Sequence, residues 1–476
     1  MRWIALLAAL SASTAWAQDA PIPRPAIVPL ILQTQIPRAE DAARADETAR
    51  ADSGDGPVMT LDDAVGLALA QNRQVKNSNL AVGMAADQIA QTRAQMFPQF
   101  QLKVTPGARL TPLDVSFDKG SFGTFPGTGP IPAHDTTLTT NPGFTAPVEA
   151  SVSQPLSQLY ALNLSVGQLG VSRDMSRQDL RTQRQTVVNN VKQQYYTVLQ
   201  TQSSLEALDE QAAANRELVR VLTEQAGQQA ALVSSVLQAK VALAQSEYTL
   251  SSTRHTLASQ KEQLNVLLAR DPATPFRVSA APATPPAAID LDAAREAALR
   301  QRPDLQKAKL QTSYSDYGVR LGRAAYIPDV SLVVRYIAPV TADQLPKQIA
   351  YAGIEISWDI FDWGKKSHAL EQSKKALEQA KNAAEDAASQ VVLDVNSGFR
   401  KLQDAEAFVK VSEANREYAR QALREVTDQF RQQAALLKDV LNAQATLGQA
   451  STQYQQAVLS YWEARANFDK AVGADQ

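Results

Sequence analysis

Few residues in this chain have the types and spacing that chemistry needs. Its three histidines, His134, His255 and His368, are scattered and cysteine is absent, so neither a metal-ligand pattern nor a disulfide framework arises. There is no phosphate-binding glycine loop and no nucleophile elbow. The chain is therefore expected not to be an enzyme and to need no cofactor. With 47 basic and 49 acidic residues it carries no excess positive charge for nucleic acid. What remains is charge in two settings. Lys103, Glu149, Arg335, Glu355 and Asp359 alternate with apolar residues in short segments, where they could line water. Phe430, Arg431, Gln433, Lys438, Asp439 and Asn442 crowd between two long helical patterns. There Asp439 could begin a helix and favour its N-terminal dipole.

The first setting calls for strands. Phe100, Leu102 and Val104 alternate with Gln101, Lys103 and Thr105, and Val148, Ala150 and Val152 with Glu149, Ser151 and Ser153. Val330 to Tyr336 and Ala352 to Ile360 repeat the pattern. Strands are expected over about 99–106, 147–155, 329–337 and 350–361, each greasy on one face and polar on the other. A half-buried soluble sheet has the same pattern, but no third strand or short amphipathic helix lies nearby to cover it. A membrane β-barrel fits better, since the N-terminus (Arg2, the apolar run Ile4–Leu10 and Ala15-Trp16-Ala17) reads as an export signal. Lys103, Glu149, Arg335, Glu355 and Asp359 would face its lumen. Phe97, Phe100, Tyr336, Tyr351 and Trp358 then suit interfacial girdles. Four strands cannot close a barrel, and an open edge in lipid strands backbone donors, so several chains must share one. Two would give eight strands and three twelve; the pattern alone does not choose.

The second setting calls for long helices. Proline is absent from Gly364 to Phe430, a run of about 100 Å as a helix. The stretch from Gln158 matches it. Each run is followed by a return helix with a heptad: Val236, Leu243, Leu250, Leu257 and Leu264, then Val440, Leu447, Tyr454, Tyr461 and Phe468. Such a repeat packs as a left-handed coiled coil.

Both settings occur twice. Leu80 pairs with Leu310 and Arg93 with Arg323 at one offset, and Tyr195 with Phe399 and Gln228 with Gln432 at another, so the first copy has the longer loop (Pro106 to Pro147). Arg2, the apolar run Ile4–Leu10 and Ala15-Trp16-Ala17 read as a signal peptide (1–17) cleaved after Ala17. A flexible arm follows (18–57), then a first repeat (58–280) of helix, two strands and a hairpin over about 157–270. A Pro/Ala linker (281–290) leads to the second repeat (291–476), whose hairpin covers about 364–473. No stretch is long and apolar enough for a transmembrane helix.

This order of elements resembles the TolC-like outer membrane efflux proteins over about residues 58 to 475. The residues that carry the likeness are T-L-D-D-A-V at Thr60, F-P-Q-F at Phe97, I-S-W-D-I-F-D-W-G at Ile356 and D-V-L-N-A-Q at Asp439. The resemblance implies a homotrimer in the outer membrane of a Gram-negative bacterium. Its twelve-stranded barrel would continue as a twelve-helix periplasmic tunnel that meets a periplasmic adaptor and an inner-membrane pump, in efflux or type I secretion. It also makes Phe430, Arg431, Gln433, Lys438, Asp439 and Asn442 the periplasmic gate, with Asp439 forming a ring of three carboxylates. The family commonly has Gly where Gln433 and its counterpart Gln229 stand, and Gly227 lies two residues earlier, so the first tip is expected to turn at a shifted place. The competing readings are a periplasmic coiled-coil adaptor and a structural envelope protein. An adaptor has one hairpin where this chain has two.

Overall fold

The computed structural model describes residues 56–228, 232–279, 289–338, 348–432 and 434–474. The expected cleavage at Ala17, most of the arm and linker, and Gln433 fall outside these residues.

Strand β1 (Val58–Met59) leads into α1 (Leu61–Gln71) and α2 (Arg73–Ala94). The T-L-D-D motif starts α1 through a capping box. The Thr60 hydroxyl accepts Asp63 N–H at 3.2 Å, and Asp63 Oδ2 accepts Thr60 N–H at 3.3 Å. The Thr60 hydroxyl also donates to Asp63 Oδ2 at 2.6 Å, and this bond, ahead of the backbone one, holds the carboxyl below its usual range. A carboxyl lowered on folding contributes stability above the unfolded pKa, which is lost as pH falls through the folded one. Asp63→Asn is accordingly expected to speed hydrogen exchange of the α1 start several-fold at neutral pH, and acid should bring the wild type to the same level. Equal exchange in the two chains after correction for intrinsic pH dependence would refute this role.

The single opening helix expected for each repeat is two. Asn72 breaks the first: its Oδ1 accepts Gln74 N–H at 2.8 Å and its Nδ2 donates to Leu267 O at 2.9 Å. The second breaks at Arg302, which Pro303 holds extended.

After α2 come β2 (Gln99–Val104), β3 (Gly107–Arg109), β4 (Leu113–Phe117), β5 (Thr124–Phe125), β6 (Gly129–Pro130), β7 (Thr136–Thr140), β8 (Gly143–Thr145) and β9 (Val148–Pro155). The segment expected to be a loop, 106–147, is a ribbon. β3 pairs with β8, β4 with β7 and β5 with β6, continuing the β2–β9 hairpin outward. Gly123 and Gly127, at φ 103° and 100°, take backbone conformations at its tip that side chains resist.

The long helices follow. α3 (Gln158–Gly227) has 70 residues, about 105 Å, and α4 (Val233–Leu267) returns along it. Strand β10 (Arg277–Val278), unforeseen in the sequence, pairs in parallel with β1. The second copy then runs α5 (Leu291–Gln301), α6 (Pro303–Ala324), β11 (Asp329–Ala338), β12 (Ile349–Ser357), α7 (Lys365–Arg431) and α8 (Leu437–Val472). Among the described residues no helix is long and apolar enough to cross a membrane.

Heptad positions form the cores. Leu257 and Leu264 of α4 pack with Val187, Val191, Tyr195 and Val198 of α3. In the second copy Phe468 packs with Val391, Val395 and Leu402. Each fully buried side chain of this size contributes roughly 1.5–3 kcal/mol. Helix α3 also packs on α8, so the four long helices lie side by side in the order α4, α3, α8, α7.

Candidate functional site

The four longest strands form one antiparallel sheet in the order β12, β11, β9, β2. Its register sorts the side chains by face, since directly paired residues share one. Phe100 pairs with Val152, Val152 with Val334, and Val334 with Ala352, so the apolar residues gather on one side. On the other, Lys103 pairs with Glu149, Ser151 with Arg335, and Ser331 with Glu355. The apolar face lies open: Phe100, Leu102 and Ile356 are exposed.

On the polar face, Glu149 Oε1 lies 3.2 Å from Arg335 Nε, and the Arg335 guanidinium sits 5.8 Å from the Tyr351 ring centre. Lys103 stands directly across from Glu149. Exposed pairs of this kind contribute only about 0–1 kcal/mol, so these charges do little to hold the sheet together. Glu355 joins the same face nearer the helices. Asp359 does not. Its strand ends at Ser357, opposite Asp329, because the next residue of the partner strand is Pro328, which has no N–H to donate. Asp359 lies beyond the sheet, 3.7 Å from Lys366 Nζ.

All four strands meet their helices at one end of the sheet and turn at the other. At the helix end Phe97, Phe361 and Trp363 are exposed, and the Phe361 and Trp363 rings meet edge to face at 4.7 Å. Asp362 fastens the start of α7, accepting Lys366 N–H at 2.9 Å and Gly364 N–H at 3.0 Å.

The far ends of the helices form the tips. α3 ends at Gly227 and α7 at Arg431, and α4 and α8 begin at Val233 and Leu437. The expected turn positions, Gln229 and Gln433, lie outside the described residues, while the helices of the two tips stop and start at equivalent residues. Their caps, Gln228 (φ −90°) and Gln432 (φ −85°), have the same conformation, and neither is left-handed. Gly227 is simply the last helical residue.

Tip chemistry belongs to the second hairpin. Arg431, Lys438, Asp439 and Asn442 have Gly227, Ser234, Ser235 and Gln238 as their counterparts in the first. Asp439 Oδ2 accepts Leu436 N–H at 3.0 Å, so the carboxylate caps α8 at its third residue. Arg431 pairs with Asp428 at 3.2 Å, and Lys438 and Asn442 are exposed. Phe430 is partly buried against a cluster of Leu222, Val236, Ala239 and Leu437, so it packs tips together.

One feature escaped the sequence reading. The outermost helices, α4 and α7, each carry an apolar stripe with no partner among the described residues: Leu237, Val241 and Tyr248 on α4, and Val411 and Tyr418 on α7. Tyr248 lies seven residues after Val241, and Tyr418 seven after Val411, which is a coiled-coil spacing beside the buried one. The signal was in the sequence, but only the packing order shows which helices are outermost.

Among the described residues no group of His, Asp or Glu could hold a metal ion. A family model described as outer membrane efflux protein matches residues 64–270 and 294–474. The fold is shared with CusC, whose crystal structures describe folding and transmembrane channel formation, at TM-score 0.70 and 16% identity over 87% of this chain and 92% of that one. The CmeC outer membrane channel of Campylobacter jejuni matches at 0.69 and 16%, over 87% and 85%. A membrane protein of Pseudomonas aeruginosa matches at 0.70 and 15%, over 87% and 90%. No curated protein sequence matches.

Proposed function

Because the chain belongs to the outer membrane efflux protein family, we propose that it is a passive homotrimeric export duct of the outer membrane. Three sheets close a twelve-stranded barrel with the apolar face in lipid and Lys103, Glu149, Arg335 and Glu355 around water. The four long helices of each chain continue it as a tunnel across the periplasm. There the tips receive a periplasmic adaptor and an inner-membrane pump, for efflux or type I secretion. The observation that carries this reading is the open pair of edges on one protomer. Among the described residues, β2 and β12 end the sheet unpaired, and α4 and α7 end the helix layer with bare apolar stripes. A sheet edge in lipid must find a partner, and a second copy supplies β12 for β2 and α7 for α4 at once. Two copies would give a barrel filled by its own side chains, while three leave a lumen for charged ones.

At the tunnel mouth three copies of Asp439 form a ring that favours cations. Asp439 also caps its helix, so the informative variant is Asp439→Asn, which keeps an oxygen for Leu436 N–H and removes the charge. In planar bilayers, discrete channels are expected from the wild type, with cation over anion preference reduced severalfold in Asp439→Asn. Unchanged selectivity would take Asp439 off the ion path. A folded, inserted trimer that conducts nothing even with its tips cut back would end the duct reading.

A further inference from the structure

The ribbon from Pro106 to Pro147 serves neither the sheet nor the tunnel. It rises from the end of the sheet opposite the helices, each of its rungs only two strands wide. Two-stranded ribbons are marginal on their own, yet this one is built to a definite shape. Its cross-strand pairing continues from Lys103 opposite Glu149, through Gly107 opposite Thr145, to Val115 opposite Leu138 and Thr124 opposite Pro130. Three residues (110–112) face two (141–142) between its first and second rungs, a bulge that re-aims the side chains above it. At the tip Phe122 N–H donates to Ile131 O at 2.9 Å and Ile131 N–H to Gly123 O at 2.9 Å. Phe117 and Phe122 meet at 5.1 Å between ring centres, and Phe122, Phe125 and Ile131 are exposed.

Charge tells what meets this tip. Residues 120–133 contain no Asp, Glu, Lys or Arg. Segments that meet their own copies on a symmetry axis place each charge against itself, so a charge-free apolar tip is what self-contact requires. The ribbon also grows from β2, an edge strand, and hence from the boundary with the next protomer. Reach is sufficient. Twenty residues separate Thr105 from Phe125, about 60 Å when extended, against a radius of about 12 Å for twelve tilted strands.

We propose that the three ribbons fold over the outer mouth of the barrel and meet at the threefold axis through Phe122, Phe125 and Ile131, as an apolar constriction on the exit of the duct. This rests on the trimeric duct reading above. It makes passage at the outer end depend on parting three apolar tips, a barrier that repels water and ions more than apolar cargo.

The chain has no cysteine, so introduced thiols report cleanly. In the purified trimer, Phe125→Cys is expected to give disulfide-linked pairs of protomers under mild oxidation. In intact cells, Ser151→Cys on the polar face of β9 should react several-fold faster with a polymer-bound maleimide when residues 107–145 are replaced by an Asn-Gly turn. A Phe125→Cys thiol that stays single, or labelling indifferent to the ribbon, overturns the constriction. An external protein as the ribbon's partner would show as a thiol free in the purified trimer. A control pair, Tyr248→Cys with Tyr418→Cys, which lie within two residues of the same height, tests the assembly itself. If that seam also fails to cross-link, the trimer is wrong, and the constriction falls with it.

Discussion

A chain carrying Val411→Glu and Tyr418→Glu is expected to keep its own hairpins and lose the proposed trimer. Both side chains are exposed in the protomer, at 65% and 71%, so neither substitution disturbs the packing of α7 on α8. Their proposed partners are the equally bare Leu237, Val241 and Tyr248 of a neighbour's α4. The heights agree. Tyr418 lies thirteen residues above the end of α7 at Arg431, and Tyr248 fifteen above the start of α4 at Val233. An antiparallel α4–α7 seam therefore sets Tyr418 between Val241 and Tyr248. Losing two large apolar contacts removes roughly 3–6 kcal/mol per seam, and burying carboxylates without partners adds to the cost. Native mass should fall from three chains to one, while helix content measured by circular dichroism stays. Tyr418→Phe should assemble normally. A doubly substituted chain that still forms trimers would remove the α4–α7 seam and leave the strands alone to hold the assembly.

Tyr195→Ala is expected to cost about 3–5 kcal/mol, the usual loss for a large aromatic cut out of a core. Tyr195 is 1% exposed. Its hydroxyl lies 3.0 Å from Met59 O, 3.0 Å from Ser279 O and 2.9 Å from Ser279 Oγ. These contacts tie α3 to the β1–β10 pair, which joins the start of the first repeat to its end. Tyr195→Phe keeps the ring and removes the hydroxyl's bond, while Met59 O retains the Ser279 N–H at 3.1 Å, so the expected loss is about 0.5–1.5 kcal/mol. The counterpart in the second copy is Phe399, half-buried against Phe468 at 6.3 Å between ring centres. Among the described residues, the hydroxyl thus occurs in the copy that has a strand pair to hold. Denaturant unfolding gives the totals. Hydrogen exchange should open residues 57–60 and 276–279 in Tyr195→Phe before the rest of the chain. If Tyr195→Phe matches the wild type in both measurements, the hydroxyl does not hold the pair.

Much of this architecture is local, and therefore legible. Period-two segments such as Phe100–Val104 declare a strand with one apolar face, and the heptad from Val236 to Leu264 declares its buried side, whatever the rest of the chain does. Duplication did the rest, since a pattern seen at both Val187 and Val391 is a unit. Counting alone puts Lys103, Glu149, Arg335, Glu355 and Asp359 on one face; the register brings the first four together there, and Asp359 lies past the end of its strand.

The errors share a cause. Trp358 and Ile360 continue the alternation of β12, but a strand lasts only as long as its partner, and Pro328 ends the partner. The ribbon at 106–147 has scant alternation among its Gly, Pro and Thr. Its pairing is inherited from the β2–β9 hairpin below, a property of two distant segments together. Asn72 and Arg302 break helices that composition would have continued, one through a bond to Leu267 on another helix and the other through the proline after it. The sequence by itself determined the element types, their duplication and the face each side chain takes, because these follow from periodicity along one chain. Only the tertiary structure decided where strands stop, where the long helices end and which edges stay bare, because hydrogen bonds and packing need a partner that periodicity does not name.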